Sequence, residues 1–394
     1  MTHSIEPRRR DVLLAALALL GGCGGVDSGG TGTGASSTYA SGPITGFGSI
    51  IVNGVRFDDS TASVQDDDGQ MRSPNDLRLG MRTEIVASAV TTVAGVPSAT
   101  AASIRFQREI VGPLESVDVP NGRLLVFGQV VGIVATTVFD SAFTAGLSSL
   151  VPGEVLVVYA TLDLAAGRYV ASRIERGASA TAYKLRGAVG SLSLATQTLT
   201  IGQLTIDWSG VPPADPATAL APGRIVRLSL ATVPAAGVWR ATALASGQPM
   251  PDDRDTAEVE GRITEFTSPT SFTLDGLPVD ASAAAFPDGT AGLALGVKIE
   301  VQGSVRNGVL VATKVEIEGE EDGPEAFELH GSITSVDRPA FRFVVRGVTV
   351  IWDATTRFGG GTAADIRVGP RVEVKGRLSP DGQSVEATLV HIEA

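Results

Sequence analysis

The stretch IIVNGVRF (50–57) has four relatives downstream, and that recurrence limits what the chain can fold into. They are LLVFGQVVGI (124–133), LTIGQLTID (199–207), SFTLDGLPVD (271–280) and FVVRGVTVI (343–351). Each sets two turn residues between apolar ones: Val52/Val55, Phe127/Val130, Ile201/Leu204, Leu274/Leu277 and Val345/Val348. This is the pattern of a two-residue β-hairpin whose alternate side chains share an apolar face. In the first copy that face holds Ile50, Val52, Val55 and Phe57; in the fourth it holds Phe272, Leu274, Leu277 and Val279. Asn53-Gly54 and Asp275-Gly276 suit a type I′ turn, and Gly128-Gln129 and Gly202-Gln203 suit type II′. Arg346-Gly347 predicts another turn type, because Arg resists positive φ.

A larger plan surrounds each hairpin. A glycine opens each unit just before a short strand, at Gly42, Gly112, Gly187, Gly261 and Gly331, at intervals of 70, 75, 74 and 70 residues. A second glycine leads a later alternating strand, at Gly80, Gly153, Gly223, Gly296 and Gly369. A second hairpin follows, turning at Ala94-Gly95, Ala166-Gly167, Ala236-Gly237, Asn307-Gly308 and Asp381-Gly382. Five short strands with a crossover before the fourth predict an all-β chain, a tandem array of about five small five-stranded OB-like barrels. A β-sandwich or a continuous β-solenoid are the alternative architectures. The expected units span 42–107, 108–178, 179–247, 256–319 and 325–394, with polar linkers at 247–255 and 319–325.

The Gly-x-Ile openings, as in Gly261-Arg262-Ile263, together with the mid-unit hairpin and the Gly-x-x-Val-x-Val run, resemble the bacterial repeat family called domain of unknown function 5666. The resemblance covers about residues 41–394 and is better in units one, four and five than in two and three. It implies an exported protein, commonly a lipoprotein. The family brings no established activity and no catalytic residues to transfer.

The N-terminus supports export. Arg8, Arg9 and Arg10 precede nine apolar residues from Val12 to Leu20, then Gly21, Gly22 and Cys23. Nine residues are too few to span a bilayer, which takes about 20. Leu20-Gly21-Gly22-Cys23 resembles the bacterial lipobox, so residues 1–22 are read as a signal peptide and Cys23 as the lipidated residue. The Arg9-Arg10 pair also fits the twin-arginine route. Residues 23–41 then form the lipidated Cys and a flexible Gly/Ser/Thr tether. The expected location is the bacterial envelope, at the outer membrane, its periplasmic face or the cell surface.

Chemistry is sparse. Cys23 is the single cysteine, so the processed chain has no thiolate nucleophile and no disulfide. His330 and His391 lie inside expected strands and do not recur between units, which favours structural or surface roles. No catalytic residue, nucleophile elbow, phosphate loop or cofactor motif is found. Net charge is -12, which makes nucleic acid a poor partner. Asp58-Asp59, Asp207, Asp280 and Asp353 follow the first hairpin in four units and are read as strand-ending polar residues. Asp66-Asp67-Asp68-Gly69 reads as a solvated turn. Weak metal candidates are the linker acids Asp252, Asp253, Asp255, Glu320, Glu321 and Asp322, where calcium could gather carboxylates from adjoining domains. Trp208 and Trp352 are expected in the core. The leading expectation is a lipid-anchored, non-enzymatic array that binds a protein or glycan; a calcium-dependent module and a carboxylate-based hydrolase are the alternatives.

Overall fold

Among the described residues the long strands close into five circuits. The computed structural model describes residues 37–93, 95–178, 180–213, 219–319 and 327–393. The expected signal peptide, Cys23 and most of the expected tether lie outside them, as do Glu320, Glu321 and Asp322.

Barrel 2 shows the circuit without interruption. Its strands are Ile110–Asp118, Arg123–Val126, Gln129–Phe139, Val155–Asp163 and Arg168–Arg176. The first pairs with the second, the second with the third, and the third runs parallel to the fifth. The fifth pairs with the fourth, which returns to the first. The resulting order 1-2-3-5-4-1 is that of a small OB barrel, and closure leaves no free sheet edge.

Barrel 4 repeats the order with Arg254–Ser268, Ser271–Leu274, Leu277–Asp280, Lys298–Arg306 and Val309–Ile317. Barrel 5 uses Phe327–Asp337, Arg342–Val345, Val348–Ile351, Arg371–Leu378 and Ser384–Ile392. Barrels 1 and 3 close in the same way but break the first strand in two, at Ser37–Pro43 with Gly46–Phe47, and at Tyr183–Ala188 with Leu192–Ser193. Ser37–Pro43 overlaps the expected tether. Residues 37–41 are strand because the apolar Tyr39 and Ala40 are buried in ladders on both edges.

The two recurring glycines have separate reasons. A Cβ on each opening glycine would run into the hairpin folded over it: 2.3 Å from Asn53 at Gly42, 2.6 Å from Phe127 at Gly112, 2.6 Å from Ile201 at Gly187, 2.8 Å from Asp275 at Gly261 and 3.2 Å from Arg346 at Gly331. The second glycine has positive φ in every barrel, from 78° at Gly80 to 113° at Gly369. Its N–H donates each time to the residue two after the opening glycine: Ile44, Leu114, Val189, Ile263 and Ile333. One hydrogen bond thus sets the entry of strand four over strand one, five times.

The hairpins depart from expectation in two places. In barrel 2 Val126 pairs with Gln129, so the turn is Phe127-Gly128 and not Gly128-Gln129. The shift sends Phe127 into the core, where it is fully buried, at the cost of a φ of 49°. In barrel 5 Arg346 does take positive φ, 53°, followed by Gly347 at 78°, the same pattern as Asn53 and Asp275. Its side chain lies over the Phe47 ring of barrel 1, 5.9 Å from its centre, a contact that offsets the strain.

The barrels do not hang as separate beads. Ser37–Pro43 runs parallel to Arg254–Ser268, with Thr38 beside Thr256 and Ser41 beside Val259. Gly46–Phe47 runs parallel to Phe327–Asp337, and Ile110–Asp118 pairs with Tyr183–Ala188. Barrel 1 is therefore joined by strands to barrels 4 and 5, and barrel 2 to barrel 3. One apolar cluster runs through barrels 1 and 5 and takes in Val138 and Tyr159 of barrel 2, one runs through barrels 2 and 3, and one fills barrel 4 with Tyr39 of barrel 1 added. Trp208 and Trp352 are buried in these clusters. Among the described residues no helix is long and apolar enough to cross a membrane.

Candidate functional site

The hairpin corner between strands two and three is the element through which barrels meet. Asn53 of barrel 1 donates its amide to the carbonyls of Ser41 and, across the barrel boundary, Glu258. Gln129 of barrel 2 donates to the Ile201 carbonyl of barrel 3, and Gln203 N–H answers to Gly128. Asp275 of barrel 4 accepts from Arg82 of barrel 1 at 2.8 Å, while its main-chain carbonyl accepts from Arg186 of barrel 3 at 2.7 Å. The Arg346 contact with Phe47 completes the set.

A buried polar centre grows around Asp275. Arg186 also donates to the Glu109 carboxylate at 3.1 Å and to the Gly247 carbonyl at 2.6 Å. Burial alone would pull the Arg186 guanidinium down, but Glu109 and Asp275 hold it above its ordinary value. Burial pushes the Asp275 carboxyl up, against the pull of Arg82 and Arg186. Arg262 of barrel 4 donates to Thr161 of barrel 2 and to the Gly296 carbonyl. Beside these groups a cavity of about 60 Å³ is lined by Arg82, Thr161, Glu260, Arg262 and Lys298, among others.

The Asp66-Asp67-Asp68 run is not a solvated turn. Asp66 is fully buried and holds Arg72 through two hydrogen bonds, and Asp67 receives Arg108 at 2.5 Å and Lys184 of barrel 3 at 3.1 Å. The run is an anionic socket into which cations of two other segments insert; Arg108 and Lys184 lie 41 and 117 residues from Asp67, so no local pattern announces them.

The acids after the first hairpin behave as strand ends. Asp58, Asp207, Asp280 and Asp353 each accept from the N–H two residues on, and those hydrogen bonds hold their carboxyls below the usual range. Asp140 makes the same turn in barrel 2, farther from the hairpin than in the other barrels because the third strand there runs from Gln129 to Phe139. The described linker acids each hold a separate partner. Asp252 pairs with Arg254, Asp253 accepts from the Asn307 N–H, and Asp255 pairs with Arg306. Arg254 and Asp255 belong to a strand rather than to a linker.

One cluster combines histidine with carboxylates. Ligand atoms of Glu328, His330 and Glu373 lie within 4.8 Å of one another on the outer wall of barrel 5. Strand alternation puts them there: Leu329, Val372 and Val374 face inward and are fully buried. Arg56 of barrel 1 reaches the same point, touching Glu328 Oε1 and His330 Nε2. Lys375 lies 3.6 Å from Glu328 and 3.7 Å from Glu373. Burial would raise the Glu328 carboxyl, but hydrogen bonds from His330 and Arg56 and the charge of Lys375 bring it down to about 2. Its members come from three strands far apart in the chain, so no local pattern marks the cluster.

Known proteins add a limited frame. The model of the family described as domain of unknown function DUF5666 matches residues 111–175, 260–316 and 330–391, which are barrels 2, 4 and 5. Barrel 2, not barrel 1, is thus the third match. The three matched barrels have an unbroken first strand, and the two unmatched ones have it broken. Among solved structures, the chain titled "drosophila Unr CSD456" is similar over 55% of this chain and 99% of its own, at 14% identity and a TM-score of 0.14, too low to bear on function. No curated protein matches the chain.

Proposed function

We propose that this chain, three of whose five barrels match DUF5666, is a non-enzymatic scaffold of the bacterial envelope, held there by lipid on Cys23 and binding a protein or glycan partner. The observation that carries this reading is the fate of the hairpin corners. OB barrels commonly use the face of strands two and three for ligands. In this chain those corners are spent on neighbouring barrels, through Asn53, Gln129, Asp275 and Arg346. What remains for a partner is the outer walls and the loops between strands one and two or four and five. The buried polar centre supports the same reading, because its charges are engaged with each other.

The calcium-dependent alternative loses its motive among the described linker acids, each of which holds a separate partner. The test is crosslinked recovery of the tethered full chain from its own envelope. A single protein or glycan partner is expected, with crosslinks on the loops and outer walls. Turnover of a substrate by the purified chain, lost on replacing a carboxylate, would overturn the proposal.

A further inference from the structure

The meeting of Arg56, Glu328 and His330 cannot be satisfied by protons. His330 Nε2 lies 2.6 Å from Arg56 and 2.6 Å from Glu328 Oε1. If Nε2 carries a proton, that proton serves Glu328 but faces an Arg56 donor. If it carries none, its lone pair serves Arg56 but faces the lone pairs of Glu328. Either tautomer leaves one short contact between like groups. An electron-pair acceptor placed between imidazole and carboxylate would resolve it.

A second observation points the same way. His330 pairs directly with Glu373, and Glu373 with His391, across three adjacent strands. Directly opposed residues project from the same face of a sheet with Cβ atoms about 4.5–5.5 Å apart. The two histidines among the described residues therefore bracket one glutamate, and a second, Glu328, stands two residues from His330. His391 is exposed and Glu373 half-buried, so the row is open to solvent.

We infer that Glu328, His330 and Glu373, whose ligand atoms already converge, form a site for a first-row divalent transition ion, zinc foremost, completed by His391 once its ring turns from Gly359 toward Glu373. Two imidazoles and two carboxylates make a mixed nitrogen and oxygen set that suits zinc and not calcium or magnesium, which take oxygen. The ion takes the place Arg56 now fills. Arg56 and Lys375 are each partly exposed and swing outward, which relieves their repulsion from the dication. The ion is bound through side-chain lone pairs alone, and no bond to the protein is made or broken in the process.

The experiment is a titration of the purified full chain with zinc against a chromophoric chelator, repeated with cobalt, whose visible absorption reports the ligand set. One ion per chain is expected, with bands characteristic of tetrahedral nitrogen and oxygen ligation. H391A, at an exposed position that leaves the barrel intact, should weaken binding about 10- to 100-fold, and E373Q by a similar factor. R56Q should tighten it, because a competitor is removed. Absence of stoichiometric zinc binding at 100-fold excess, or binding that H391A and E373Q leave unchanged, would overturn the site.

Discussion

Arg82 and Asp275 stand 193 residues apart in the chain and 2.8 Å apart in the fold, joining strand four of barrel 1 to the hairpin of barrel 4. Both are buried, and Asp275 Oδ1 has no partner among the described residues. Such a pair gains little net stability, because desolvation offsets the attraction; it specifies which surfaces meet. Replacing Arg82 alone by Met strands a buried carboxylate and is expected to cost about 3–5 kcal/mol in a denaturant melt. The double variant Arg82→Met with Asp275→Asn, which removes the charge and still suits the φ of 49° at that turn, should recover most of that loss. A double variant as unstable as the single one would show that the pair holds more than its own charge.

Asn53 separates turn geometry from docking. Its φ of 52° suits Asn or Gly, and its amide spans to Ser41 and Glu258. Asn53→Gly keeps the turn and loses only the hydrogen bonds, a cost of about 1 kcal/mol. Asn53→Ala adds the left-handed penalty and should lose a further ~1 kcal/mol. Equal melting points for the two variants would contradict the division.

Gly112 tests the packing of the opening glycine. Its φ is ordinary, so the obstacle to a side chain is the Phe127 ring carbon 2.6 Å from where a Cβ would sit. Gly112→Ala should destabilise by about 1–3 kcal/mol through overpacking. A melt unchanged from the parent chain would mean that the hairpin lifts freely off the first strand.

The pH profile has two limbs with different owners. Burial pushes the Glu258 carboxyl up to about 7, and burial with the neighbouring Glu258 pushes Glu300 up to about 9. Raised carboxyls contribute stability that is fully present below the usual glutamate range and is lost as pH rises through the folded values, so the chain should weaken from about 4.5 toward about 9. Glu328 is the reverse: brought down to about 2, it contributes above the usual glutamate range and fails as pH falls toward 2. In melts across pH, Glu300→Gln should flatten the alkaline limb and Glu328→Gln the acid one. An alkaline limb unchanged in Glu300→Gln would remove that pair from the account.

Strand alternation made the barrels legible. Ile50, Val52, Val55 and Phe57 face inward because a two-residue turn leaves them no other side, and all four are buried. The recurring glycines were visible as spacing, although their cause, a corner folded over Gly42 or Gly112, was not. The barrel 2 register slipped by one residue because LLVFGQVVGI is apolar on both faces, so alternation could not choose between turns. What stayed hidden was the association of barrels. Asp67 with Lys184, Arg82 with Asp275 and His330 with Arg56 are polar side chains brought together over long separations, and each looks like ordinary surface charge in its own segment.

The central claim is that non-consecutive barrels are joined edge to edge in one body, and the ladder of Thr38 beside Thr256 states it most sharply. Their hydroxyls lie 2.7 Å apart on parallel strands of barrels 1 and 4. Neighbouring strands stand about 4.7–4.9 Å apart, inside the Cα range of a disulfide. In a chain with Cys23→Ser, the pair Thr38→Cys and Thr256→Cys should close a disulfide nearly quantitatively under mild oxidation, read by mobility on a non-reducing gel. Thiols that stay open to alkylation in the folded, oxidised chain would mean that the barrels are strung and not joined.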